Sequence, residues 1–134
     1  MVKKSVIAII AVFVLWSILD FVIHGVLLSE AYKATAELWR PMEEMKMGLM
    51  RIVTLITAIA FVLIYALFIN EKNMKTALKY GILFGIAMGI SMGYGSYTVM
   101  PIPYKMAFIW FWGTLIEATL GGLIIGLIIC EKSE

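Results

Sequence analysis

Four apolar runs, each long enough to cross a bilayer, divide this chain: Ser5–Leu28, about Gly48–Ile69, about Ala77–Val99 and about Met106–Cys130. A helix rises about 1.5 Å per residue, so roughly 20 apolar residues span the hydrocarbon layer. Barrel strands would be about 10 residues long and would alternate apolar with polar positions. Backbone groups in lipid must find partners within the segment, and only a helix does that alone. The expected fold is therefore an all-α membrane protein, a single four-helix transmembrane bundle over residues 1–134, with helices at about 5–28, 42–69, 75–99 and 104–130.

Composition agrees. The 134 residues are 63% apolar and 15% charged, against about 45–50% and 25% in soluble domains. A body this small cannot hide that much apolar surface in its own interior. The first run follows Lys3 and Lys4 but, at about 24 residues, is too long for a signal-peptide core and is read as a retained membrane helix. The net charge of +2 sits at the helix ends, so nucleic acid is not an expected partner. The lone Cys130 excludes an intrachain disulfide and a cysteine zinc cluster.

The connections carry stop signals. Asn70-Glu71-Lys72-Asn73 parts the second and third helices, and Pro101-Ile102-Pro103 parts the third and fourth. The first connection, Ser29–Arg40, is longer, and Lys33 and Glu37 at i,i+4 predict a solvated helical extension. Pro41, with Glu43 and Glu44 beside it, suits the first turn of the second helix. The first two helices are thus expected to project beyond the bilayer as a hairpin. Lys3, Lys4, Lys72, Lys75, Lys79 and Lys132 fall on one side; Lys33, Arg40, Lys46, Arg51 and Lys105 are spread along longer segments on the other. That bias favours both termini in the cytoplasm. Tyr32, Trp39, Tyr97, Tyr104, Trp110 and Trp112 gather on the opposite side, as an interfacial belt does.

Gly81, Gly85, Gly89 and Gly93 recur every fourth residue and give the third helix a smooth face for close packing, a glycine zipper. Gly113 and Gly121, or Gly122 and Gly126, offer the complementary surface on the fourth helix, and the same face could build a homodimer.

Asp20, His24, Arg51 and Glu117 lie inside the apolar runs. A charge there costs about 2.5–3.5 kcal/mol or more, so such groups turn inward and find partners. Trp16, Asp20 and His24 share one helix face. Arg51 falls at about the depth of His24, and Glu117, near the middle of the fourth span, is level with Asp20 or slightly deeper; Thr54 and Thr114 could add hydroxyl partners. One reading makes the four an ion-paired cluster that fixes helix register. The other makes them a site that binds a polar solute or relays protons, because carboxyls in an apolar setting can exchange protons near neutral pH. No plausible nucleophile completes an enzyme's set.

The chain holds 10 methionines. Met88 and Met92, one turn apart beside the glycine face, resemble the Met-x-x-x-Met pattern of the copper-uptake channel family, whose soft thioethers suit Cu(I). That family has three spans, and methionine also serves as a flexible apolar filler. With one histidine, a bis-histidine haem is impossible within the chain, and no cofactor is expected.

Trp16-Ser-Ile-Leu-Asp20, Gly25-Val-Leu-Leu and Tyr32 resemble the first helix of small bacterial inner-membrane proteins grouped as a family of unknown function. The resemblance extends through a glycine-rich third helix, the turn Tyr94-Gly95-Ser96-Tyr97 and the pair Trp112-Gly113, nearly the whole chain. After Tyr97 the sequence departs, with Thr98-Val99-Met100-Pro101 in place of a polar run. The resemblance implies four spans and a bacterial inner membrane, and no activity. The expectations are a small-solute or proton-linked binding or transport protein, which would need a homo-oligomer to form a pathway, or else an accessory subunit of a larger membrane complex.

Overall fold

The computed structural model describes residues 1–131, so Lys132, counted above in the charge bias, lies outside the described residues. Four long helices fill it: α1 (Val2–Leu27), α3 (Met47–Phe68), α4 (Met74–Val99) and α5 (Tyr104–Ile128), with a short α2 (Ser29–Ala34) after the first. Each long helix is long and apolar enough to cross a membrane. The expected all-α four-helix bundle is the fold.

Hydrogen bonds define the two ends. Glu131 N–H donates to the Lys72 carbonyl at 2.9 Å, and Lys4 Nζ reaches the Cys130 carbonyl at 3.4 Å. Both ends of the described chain and the α3–α4 connection therefore share one end, the terminal end. The connection between Leu28 and Met47 and the Pro101–Pro103 turn share the other, the loop end. Asn73 caps α4, its side chain accepting from Thr76 N–H at 2.9 Å.

The first connection differs from the expected hairpin of projecting helices. It folds as α2 and two 3-10 turns, Ala36–Leu38 and Met42–Glu44, and α3 starts at Met47 rather than near 42. Trp39 Nε1 donates to Thr35 Oγ1 at 2.9 Å, and Thr35 Oγ1 in turn donates to the Ala31 carbonyl at 2.8 Å; this pins the connection back on itself. Lys33 pairs with Glu30 at 3.1 Å, not with Glu37, because the helix ends at Ala34, before Glu37 can stack a turn above it. Pro41 precedes only a single 3-10 turn.

The glycines of α4 lie on α5. A methyl at Gly81 would come 2.5 Å from the Ala118 carbonyl oxygen, and one at Gly93 2.6 Å from that of Ala107. Only a bare backbone fits that closely. Gly122 and Gly126 answer from α5, meeting Ala77 and Met74, whereas Gly113 and Gly121 leave room for Ile23, Trp16 and Phe61. The glycine face is therefore used within the chain.

The buried side chains form two clusters. The one toward the terminal end draws on all four long helices, with Val12, Trp16, Phe61, Tyr65, Ala77 and Ile125 among its members. The one at the loop end joins Ile23, Leu28, Ile102, Met106, Ala107 and Trp110, and contains no residue of α3. The buried positions of α3 run from Ala58 to Ala66, while Met47 to Val53 are exposed. Only the half of α3 toward the terminal end is packed.

Candidate functional site

From Phe21 to Leu27, α1 widens into a π-helix, with Leu28 N–H donating to the Ile23 carbonyl at 2.9 Å. Such segments are uncommon and concentrate at functional sites. Here the widened turn begins just after Asp20 and contains His24. Ile23 is buried against Gly113, which turns Asp20 and His24 to an adjoining, half-buried face.

A row of polar groups runs along that face. His24 Nε2 is 4.0 Å from Asp20 Oδ1, too long for a direct hydrogen bond but within ion-pair distance. His24 Nδ1 is 2.6 Å from the Tyr32 hydroxyl. Trp110 Nε1 donates to that same hydroxyl at 2.9 Å. The tyrosine hydrogen is then free for His24 Nδ1, which leaves the imidazole proton on Nε2, facing Asp20. Burial pushes the Tyr32 hydroxyl above its ordinary range; the bond donated by Trp110 opposes this and the charge of Asp20 reinforces it. Tyr32 therefore stays a donor at neutral pH.

The other end of the row is Glu117 on α5. Its carboxyl is hydrogen-bonded to that of Asp20, while its Oε1 is buried and has no hydrogen-bond partner among the described residues. Its backbone carbonyl accepts from Trp16 Nε1 at 2.7 Å, which ties the two helices at this level. The order in space is Glu117, Asp20, His24, Tyr32, running from the middle of the bundle toward the loop end. Toward the terminal end the row stops at packed rings. Trp16 and Phe61 are 5.1 Å apart, Phe61 and Tyr80 4.8 Å, and Phe61 and Phe84 4.9 Å.

Of the four ionisable residues expected to meet, the structure brings together Asp20, His24 and Glu117. Arg51 stands apart: it is exposed, one turn into α3, and makes no ion pair among the described residues. The reason lies in the packing of α3, whose loop-end half is outside the core. Thr54 goes with it, donating to its own helix at the Met50 carbonyl, 3.1 Å away. Two members of the site, Tyr32 and Trp110, read in the sequence as part of the aromatic belt. The available signal was the eight-residue spacing from His24 to Tyr32, which returns to one face if helical winding continues past Leu28.

Among the described residues no group of three His, Cys, Asp or Glu side chains is arranged to hold a metal ion. Asp20, His24 and Glu117 form a row rather than a cage. Met88 and Met92 are 45% and 42% exposed, off the buried glycine face. Comparison with protein-family models, with curated proteins and with solved structures gives no match.

Proposed function

We propose that the chain is a multi-pass protein of the bacterial inner membrane, with both termini cytoplasmic, in which Glu117, Asp20, His24 and Tyr32 take up protons or a small cationic solute from the non-cytoplasmic side. One observation carries this reading: two carboxyls lie together in the middle of the bundle with no Lys or Arg paired to either among the described residues. Acids held there only to fix helix register would be met by a cation, because an unpaired charge at such a depth is expensive. A proton or a cation supplied from outside fills that role. His24 and Tyr32 extend the row to the loop end, and histidine exchanges protons within the physiological range. The rings around Phe61 fill the opposite half, so in this reading a proton or cation would enter from the loop end. Complete transfer would need several copies or a rearrangement of the bundle.

The test is proton uptake by the detergent-solubilised protein after a small pH jump, read with an indicator dye, for the wild type and for Asp20→Asn, Glu117→Gln and the double variant. The reading expects less uptake in each single variant and least in the double. Equal uptake by all four folded proteins would sink it. Tags at both termini should report cytoplasmic and one near Glu37 the opposite side, as the lysine bias requires.

A second reading, an accessory subunit of a larger complex, draws support from the exposed stretch Met47–Val53, which the chain's own core leaves uncovered. Native mass measurement in mild detergent separates a lone or self-associated chain from one that retains a different protein.

A further inference from the structure

We infer that the cleft between the first connection and the start of α3 binds an anionic phospholipid of the surrounding bilayer, with its phosphate held by Arg40 and Lys46. The cleft has a volume of about 610 Å³. Its size falls within the ~300–1,000 Å³ range of sites for small organic ligands. Trp39, Met47, Met50 and Val53 give it an apolar wall, Arg40 and Lys46 are its charged lining residues, and among the described residues no acid lines it. Glu43 and Glu44, on the intervening turn, are not among the lining residues.

Charge and position together select the occupant. Lys46 is the residue before α3 begins, so the two cations sit where that span would leave the hydrocarbon and meet the headgroups. Below them the wall continues as one helical face, Met47, Met50 and Val53, which follows an acyl chain running down α3. Flexible thioethers adapt to such a chain without a fixed shape. Arg51, one turn further in and exposed, has the reach to carry its guanidinium back toward the same level. Three cations with no partner acid among the described residues, beside an apolar trough at headgroup depth, match one negative phosphate joined to a long apolar tail. A second copy of this chain would bring the same cations to the interface and add repulsion. The absence of α3 from the loop-end core follows: a lipid, rather than a side chain, fills that space.

The test is native mass spectrometry of the full chain in mild detergent with equal amounts of phosphatidylglycerol and phosphatidylcholine. Phosphatidylglycerol should be retained preferentially, and glycerol phosphate should not compete. Arg40→Gln with Lys46→Gln should lower that retention by ~fivefold or more for each cation removed, from the attraction of a basic side chain to anionic lipid. Arg40→Lys with Lys46→Arg should restore it. The altered residues are exposed, and helicity checked by circular dichroism should be unchanged. Equal retention of the two lipids, full retention by the glutamine variant, competition by glycerol phosphate, or a lipid-free dimer that buries the cleft would each overturn the inference. Asp20→Asn should leave lipid retention unaltered, so the result stands apart from the fate of the proton reading.

Discussion

The hydroxyl of Tyr32 sits between two rings from different helices: His24 Nδ1 of α1 lies 2.6 Å from it, and Trp110 Nε1 of α5 donates to it at 2.9 Å. One phenol thus holds the histidine in a single tautomer and satisfies a nearly buried indole N–H. Tyr32→Phe keeps the ring and removes both bonds. It should destabilise the fold by ~1–3 kcal/mol, the cost of leaving a buried donor unmet. Adding Trp110→Phe should cost less than the sum of the single changes, since the two groups serve one bond. Reversible unfolding in mixed micelles measures both. Full additivity would show that the two side chains act separately.

The same phenol has a pH signature. Burial, its largest influence, pushes the Tyr32 hydroxyl upward. Folding therefore favours the protonated phenol, and its contribution is intact below pH ~10, the usual tyrosine value. It declines as pH rises above that value toward the higher folded one. In an ultraviolet titration, the difference between wild type and Tyr32→Phe should show phenolate appearing only above pH ~10. A phenolate signal near pH 9 would contradict the burial.

The spans could be read in the sequence because run length and hydropathy act locally, and Gly81, Gly85, Gly89 and Gly93 because spacing alone puts them on one face. What escaped depends on how helices lean. Nothing local to Arg51 says that α3 packs from Ala58 to Ala66 and stands free before that. Tyr32 escaped because a loop aromatic and a site aromatic look alike until the chain turns back, here through the Trp39–Thr35 bond. Likewise, Gly113–Gly121 and Gly122–Gly126 are equivalent by spacing. Only the packing of α1 decides that the first pair receives Ile23 and Trp16 while the second receives α4.

Gly89 and Ala87 test the helix contact. A methyl at Gly89 would stand 2.9 Å from the Phe111 carbonyl oxygen, backbone that cannot give way, whereas Ala87 is exposed. Gly89→Leu should cost at least ~1–3 kcal/mol through overpacking, and Ala87→Leu should stay within ~0.5 kcal/mol. Thermal unfolding in detergent gives the comparison. Equal tolerance would mean that α4 and α5 do not touch along this ridge.

Arg51 offers a negative test. A cation paired inside the bundle would cost ~3–5 kcal/mol to remove, because its partner acid would be stranded. The exposed Arg51 has no such partner among the described residues, so Arg51→Gln should change stability by less than ~0.5 kcal/mol. The same unfolding measurement decides. A loss of several kcal/mol would place Arg51 against Asp20 or Glu117 after all.

Asp20 and Glu117 complete the argument, and here the expectation reverses what ion pairing would give. If Arg51 neutralised either acid, Asp20→Asn or Glu117→Gln would leave a buried cation alone and destabilise the bundle. Instead the two carboxyls hydrogen-bond to each other, and Glu117 Oε1 has no hydrogen-bond partner among the described residues. Two acids side by side repel when both are charged, and an unmet buried oxygen costs about 1–3 kcal/mol. Glu117→Gln supplies an N–H₂ that can donate to Asp20 and removes the repulsion. It should therefore leave stability within ~1 kcal/mol of the wild type, because the amide can keep the hydrogen bond between the two side chains. Proton uptake in the same sample should fall. Stability retained with uptake lost would mark acids kept for function at a cost to the fold. A marked loss of stability in Glu117→Gln, with proton uptake unchanged, would instead make the cluster structural and send the search for function elsewhere in the chain.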